Sequence, residues 1–268
     1  MTKKEYSPEI LETLKKLRLM DDTFMACVFE DNIEAVTLVL HILLERDDLT
    51  VKAMTVQKWY TNLLGHSVRL DVVAEDTTGK LYDIEVQRAS EGANPRRARY
   101  HSSMLDTRLL AKGEDYPTLK DSYVIFITEK DVLEEGRSLY HVERAVRESG
   151  KSFDDGSHII YVNGEYDNKQ DPVGRLMHDF RCEKAEDMNY SILAERVHYL
   201  KEQEGGQAAM CQVIEELNRK AAQEAAKRER ERVALNLLER GLFSDDEIAE
   251  ISLLTLEEVK ALNTQRSA

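Results

Sequence analysis

The chain has 268 residues, with 51 acidic against 37 basic side chains and a formal charge of −14. That length supports one large core, or one domain with an appendage, and so acidic a chain is excluded as a general polyanion binder. Contact with nucleic acid would have to come from a local basic patch.

In chain order, residues 7–20 predict a helix. Ser7 can cap it, Pro8 suits its first position, and Ile10, Leu14 and Leu17 form a stripe. Asp22 opens another helical turn, and Asn32 can cap a third helix whose apolar face carries Ala35, Val36, Val39, Leu40 and Leu43. Val51–Val56 reads as a strand and Trp59–Leu64 as a connection. Leu70–Glu75 and Leu81–Gln87 read as two strands joined by a Thr77-Thr78-Gly79-Lys80 turn. Residues 95–112 predict a helix with Pro95 in its first turn and Gly113 just past its end. Ser122–Thr128 and His158–Asn163 are further strands, the second followed by an Asn163-Gly164 turn. From about 172 the chain turns helical. Residues 207–240 predict one long helix whose middle is charged residues and alanine, an exposed connector without a heptad seam. Ser244–Glu247 and Thr255–Glu258 each have capping-box spacing. Ile248, Ile251 and Leu254 are expected on one face, packing with Leu237 and Leu238 into a small three-helix unit.

The hairpin carries the chemistry. Side chains alternate along a strand, so Asp83, Glu85 and Gln87 share a face, and the turn brings Asp71 near Glu85. Two converging carboxylates beside a neutral polar group suit a hard cation, magnesium or manganese. The same spacing also fits two solvated strand carboxylates in an acidic protein.

The helix that follows is the electrostatic counterpart. Residues 88–112 hold six basic side chains against two acidic ones, a local balance of +4. Arg88, Arg96, Arg97, Arg99 and Tyr100 are the candidate phosphate-backbone contacts. Salt bridges to neighbouring acids are the alternative. The 218–232 stretch is also basic, by +3, but mixed charge on a long helix usually reflects solvation.

Asp71-x(13)-Glu85-x-Gln87, with Leu81–Gln87, Arg97–His101 and Tyr123–Ile127 around it, resembles the PD-(D/E)xK family transposases, also called recombination-promoting nucleases. The resemblance extends over roughly residues 17–215. It implies an α/β, restriction-endonuclease-like fold, a mixed central sheet flanked by helices with a helical C-terminal extension. On that basis residues 1–205 form a nuclease-like domain, 206–240 a connector helix and 241–268 a helix-turn-helix-like tail. It implies metal-dependent DNA cleavage, with Asp71, Glu85 and the Val86 carbonyl holding Mg²⁺ or Mn²⁺ and Gln87 positioning water. Asp22 fills the acidic position of the first helix, opening a segment similar to the family's Asp-x-x-Phe-Lys. Three positions depart from the pattern. Leu70 replaces the signature proline, Gln87 the lysine, and Met25 the lysine of that first-helix segment.

The leading expectation is a magnesium-dependent DNA endonuclease that promotes recombination or serves a mobile element. The rivals are a catalytically weak nuclease-fold module that binds DNA or protein, and an RNA-directed nuclease. Self-association is expected through the C-terminal helices. Cys27, Cys182 and Cys211 have no zinc spacing and read as buried free thiols. The seven histidines, His101 among them, form no HxH or HxxxH pair and read as structural or surface residues. No long apolar segment occurs, so a soluble cytoplasmic chain without a membrane partner is expected. No phosphate-cradling GxxxxGK[ST] run appears, so nucleotide hydrolysis is not expected.

Overall fold

A computed structural model describes residues 6–60, 68–110 and 112–267. The chain divides into two compact units that part between Met210 and Cys211.

The first unit begins with three helices, α1 (Pro8–Lys16), α2 (Asp22–Phe29) and α3 (Ile33–Leu44). Their starts follow the predicted caps. The Ser7 side chain accepts from Ile10 N at 3.3 Å, and Asn32 Oδ1 accepts from Ala35 N at 3.1 Å. Strands β1 (Val51–Tyr60), β2 (Val68–Asp76) and β3 (Leu81–Gln87) follow, then α4 (Pro95–Leu109). Next come β4 (Ser122–Thr128), β5 (Leu139–Val142), β6 (Ser157–Asn163), α5 (Pro172–Arg181) and α6 (Ser191–Glu202). Strand β1 extends through Trp59 and Tyr60, which the sequence assigned to a connection. The rest of that connection, 61–64, lies outside the described residues, as does His66. No sequence signal marked β5.

The strands form one mixed sheet in the order β1-β2-β3-β4-β6-β5. The β3-β4-β6 centre is parallel, and antiparallel pairs flank it. Helix α4 covers one face, packing on β3, β4 and β6 over a core that includes Ala98, Leu105, Val124, Phe126 and Tyr161. Alternate residues Ile84, Ile125, Ile127 and Val162 are buried on the other face, toward the layer of α2, α3, α5 and α6. This is a mixed sheet flanked by helices, as the sequence predicts.

The β2–β3 turn sets the register that the site depends on. Asp76 Oδ1 accepts from Thr78 N (2.8 Å), Thr78 Oγ1 (2.7 Å) and Lys80 N (3.0 Å). Gly79 takes φ +87°, a conformation that favours glycine. Asp76 Oδ2 accepts from the Tyr82 hydroxyl at 2.9 Å. Val72 then pairs with Ile84, which places Asp71 opposite Glu85.

Helix α7 (Glu204–Arg240) leads into the second unit. Its middle is exposed and carries i,i+4 ion pairs such as Lys220–Glu216 and Arg228–Glu224. Helices α8 (Asp245–Ser252) and α9 (Leu256–Ser267) complete that unit. Both capping boxes form: Ser244 N donates to Glu247 Oε2 at 2.8 Å, and Thr255 N to Glu258 Oε2 at 2.9 Å. Ala234, Leu238, Ile248 and Val259 make a small core with Leu237, Leu254 and Leu262. Ile251 does not join it and is 51% exposed. The buried face of α8 runs through Ile248 and Ser252, which leaves Ile251 beside it, and the left-handed Leu253 (φ +58°) ends the helix before Leu254. Of the three free cysteines, Cys211 is buried, whereas Cys27 and Cys182 are only half-buried. Among the described residues, no helix is long and apolar enough to cross a membrane.

One buried lysine ties the helical layer together. Lys201 Nζ on α6 donates to the carbonyls of Lys15 (2.9 Å), Leu17 (2.5 Å) and Glu183. Lys201→Met is expected to strip these carbonyls of their donor and destabilise the first unit by about 3 kcal/mol. The midpoint of urea unfolding reads this, and an unchanged midpoint would show that solvent replaces the lysine.

Candidate metal centre

Asp71 and Glu85 hold each other's strands. Asp71 N donates to Glu85 Oε1 at 2.9 Å, and Val86 N donates to Asp71 Oδ2 at 3.2 Å. Carboxylates here replace the cross-strand backbone ladder. The carbonyl of Gln87 accepts from Glu129 N at 3.0 Å, on the β4 side. Backbone groups alternate in direction along a strand, so the Val86 carbonyl turns toward Asp71. Asp71, Glu85 and the Val86 backbone therefore lie side by side where the β2–β3 ladder ends.

A cavity of about 420 Å³ opens beside them, lined by Asp22, Arg69, Asp71, Val86, Gln87 and Arg97 among others. Asp22 sits in the first turn of α2, and its charge helps to raise the Asp71 carboxyl, after burial, the larger cause. Gln87 is anchored at the end of β3, where its Oε1 accepts from Arg97 Nη1 at 3.2 Å. Gly92 passes so close that a Cβ there would lie 2.1 Å from that oxygen, so any side chain at 92 would push the Gln87 amide aside.

The basic residues divide into three groups. Arg97 turns inward, with Nη2 donating to Glu85 Oε2 at 3.0 Å. Arg96 and Arg99 are exposed on the outer side of α4, and Tyr100 packs against the core beneath it. Arg88 lies at the cavity rim, paired with Asp21 (2.8 Å) and Glu129 (3.2 Å). The structure thus brings Asp71, Val86, Gln87, Asp22, Arg88 and Arg97 to one cavity, while Glu85 is buried behind its wall, bonded to Asp71 N and Arg97. Arg96, Arg99 and Tyr100 are not among its lining residues.

Two residues that the sequence reading left outside the main site complete it. Asp83 and His101 are both buried, with His101 Nδ1 3.1 Å from Asp83 Oδ2. Arg97 Nε donates to His101 Nε2 at 3.2 Å. A guanidinium can only donate, so His101 Nε2 accepts and Nδ1 carries the proton toward Asp83. Although ligand atoms of Asp83, Glu85 and His101 lie within 4.8 Å of one another, this tautomer points no imidazole lone pair at the carboxylates. The sequence did contain a signal for His101. It stands one helical turn after Arg97, on the same face of α4.

A second group, His178, Asp179 and Cys182, is also closely spaced. The Asp179 oxygens already accept from Asn189 N (2.8 Å), Asn189 Nδ2 (2.7 Å) and Tyr190 N (2.9 Å). Burial and neighbouring acids push the Cys182 thiol up to about 11, and a metal-binding thiol must ionise. Asp179 thus ties the Asn189–Tyr190 segment to α5.

A family model for PD-(D/E)XK nuclease family transposases matches residues 29–172. The chain belongs to this family. The match spans β1 to β6 and includes Asp71, Glu85, Gln87 and Arg97, but not Asp22. No curated protein and no solved structure matches the chain.

In this family member the donor chemistry fits a divalent cation. Asp71, Asp83 and Glu85 place three carboxylates around one guanidinium, Arg97, and Asp83 Oδ1 is buried without a hydrogen-bond partner. Burial first, then the charges of Asp83 and Asp71, pushes the Glu85 carboxyl up to about 9 from its ordinary 4.5. Between those values the folded metal-free chain holds a proton that the unfolded chain lacks. Its stability therefore falls as pH rises from about 4.5 to about 9. Glu85→Gln removes that proton uptake. It should stabilise the metal-free protein by about 2 kcal/mol at pH 8 and flatten the slope. Thermal unfolding in chelator across this range checks it, and an unchanged slope would place the titrating group elsewhere.

Proposed function

We propose that this chain is a divalent-metal-dependent DNA endonuclease that hydrolyses phosphodiester bonds in recombination or on behalf of a mobile element. The supporting observation is that Asp71 and Val86 line one polar cavity with the Glu85 carboxylate buried directly behind them, bonded to Asp71 N, in a member of a nuclease family. Those three groups would hold Mg²⁺ or Mn²⁺. The bound ion supplies Lewis-acid charge, which acidifies water and stabilises the leaving oxygen. Gln87 is held at the cavity wall, where its amide can orient the attacking water. Asp22 adds an acidic group across the cavity. Arg96 and Arg99, exposed on α4, would meet the DNA backbone and set its height over the site.

A catalytically weak binding module is the second reading. It draws support from Gln87, which carries no charge, and from Glu85, already engaged by Arg97.

Supercoiled plasmid should be nicked or linearised with Mg²⁺, and chelator should abolish the activity. Asp71→Ala and Glu85→Ala are expected to lose at least about 100-fold in rate. A folded protein that cleaves no nucleic acid would favour the binding module, and cleavage of RNA alone would overturn the DNA assignment. In a separate binding measurement, replacing both Arg96 and Arg99 by Gln should reduce the slope of log K against log salt by about 2. An unchanged slope would move the phosphate contacts off α4.

A further inference from the structure

A phosphodiester carries negative charge that must be met as the attacking oxygen arrives, and Gln87 brings none. Arg97 is the cavity-lining guanidinium that reaches both Glu85 and Gln87. It is also the most constrained. Nε donates to His101 Nε2 (3.2 Å), Nη1 to Gln87 Oε1 (3.2 Å) and the Gly92 carbonyl (3.1 Å), and Nη2 to Glu85 Oε2 (3.0 Å). The guanidinium also lies over the Phe126 ring, 5.9 Å from its centroid.

A guanidinium has five N–H groups. Four are accounted for, which leaves one on Nη2, in a side chain that lines the cavity beside Asp71 and Val86. The plane of the fork is fixed from behind. His101 can accept from Arg97 only because its proton sits on Nδ1, and that proton is held by buried Asp83. A histidine of the other tautomer would present N–H to N–H. The buried Asp83–His101 pair thus sets the direction of Arg97, much as a second layer of hydrogen bonds orients a functional group elsewhere.

We propose that Arg97 is a catalytic residue whose remaining Nη2 proton meets a non-bridging oxygen of the scissile phosphate. His101, backed by Asp83, is the positioning residue that fixes the guanidinium plane. This rests on the nuclease reading above. It assigns Arg97 to the reacting phosphate, apart from the outward-facing Arg96 and Arg99, which contact the backbone elsewhere.

The test is Mg²⁺-dependent cleavage of a labelled DNA duplex by the wild type, Arg97→Gln, Arg97→Gly, His101→Gln and His101→Phe. Mn²⁺ binding by calorimetry shows that each variant keeps its metal donors. Arg97→Gln should lose about 100-fold in kcat with little change in KM. Low-millimolar guanidinium should restore part of the Arg97→Gly activity and none of the activity of Asp71→Ala. His101→Phe should lose about 10-fold in kcat, and His101→Gln, which keeps an acceptor for Arg97, should recover part of that loss. If the wild type cleaves while Arg97→Gln cleaves as fast, the nuclease reading stands and this assignment falls. Loss in Arg97→Gly that guanidinium does not relieve, with Mn²⁺ binding intact, also overturns it. A wild type inert on DNA and RNA removes the nuclease reading and this assignment with it.

Discussion

The exchange between Asp71 and Glu85, each carboxylate taking a backbone N–H from the other's strand, is the constraint on which the site depends. It occurs where the β2–β3 ladder stops, so the carboxylates do structural work that backbone carbonyls do elsewhere in the sheet. The exchange requires one register, and Asp76 enforces it from the far end of the hairpin by closing the turn and gripping Tyr82. A slip of one residue would send Asp83 and Glu85 to the opposite face of the sheet, among Ile125, Ile127 and Val162. Turn chemistry five residues from Asp71 on one side and from Glu85 on the other therefore decides whether a site exists.

Burying three carboxylates demands a cation, and α4 delivers it. The helix is started by Asn94, whose side chain accepts from Arg96 N at 2.8 Å, and by Pro95 at the first position. Helical period then sorts its residues. Arg97 and His101 fall on the face over β3 and β4, with Ala98 and Leu105 packing beside them, while Arg96 and Arg99 turn outward. One guanidinium against three acids leaves the site undercompensated. That imbalance makes it a reservoir of instability in the metal-free protein and a receptive place for a divalent ion. Stability and the capacity to bind are in opposition here, as is common where a site needs concentrated like charge.

Asp71, Glu85 and Gln87 were legible because strand alternation is a local rule and the turn residues announced the hairpin. Helix starts at Ser7, Asn32, Ser244 and Thr255 were legible because a cap needs only a few consecutive residues. Asp83 and His101 were harder to place. Their pairing is 18 residues apart in the chain and depends on how α4 rotates over the sheet, which no spacing rule for histidine ligands captures. Strand β5 has four residues and buries little beyond Tyr140, too short a segment for alternation to register. Ile251 was assigned to the wrong environment because the buried face of α8 runs through Ile248 and Ser252, four residues apart, and Ile251 falls to the side of it.

The contrast between the inner and outer ion pairs bears on how an acidic chain could accept a polyanion. Arg88 at the cavity rim shares Glu129 with Arg18 and also reaches Asp21. The Arg88 side chain is 57% exposed, so its pairs are screened by solvent and contribute about 0–1 kcal/mol each. A phosphate could displace those acids at little cost, exchanging one anionic partner for another. The Arg97–Glu85 pair is different in kind, since Glu85 is fully buried and has no water to fall back on. The rim can therefore rearrange around a ligand while the inner network keeps its geometry. That division gives a chain of charge −14 an exchangeable cation at the rim and a fixed one inside the cavity.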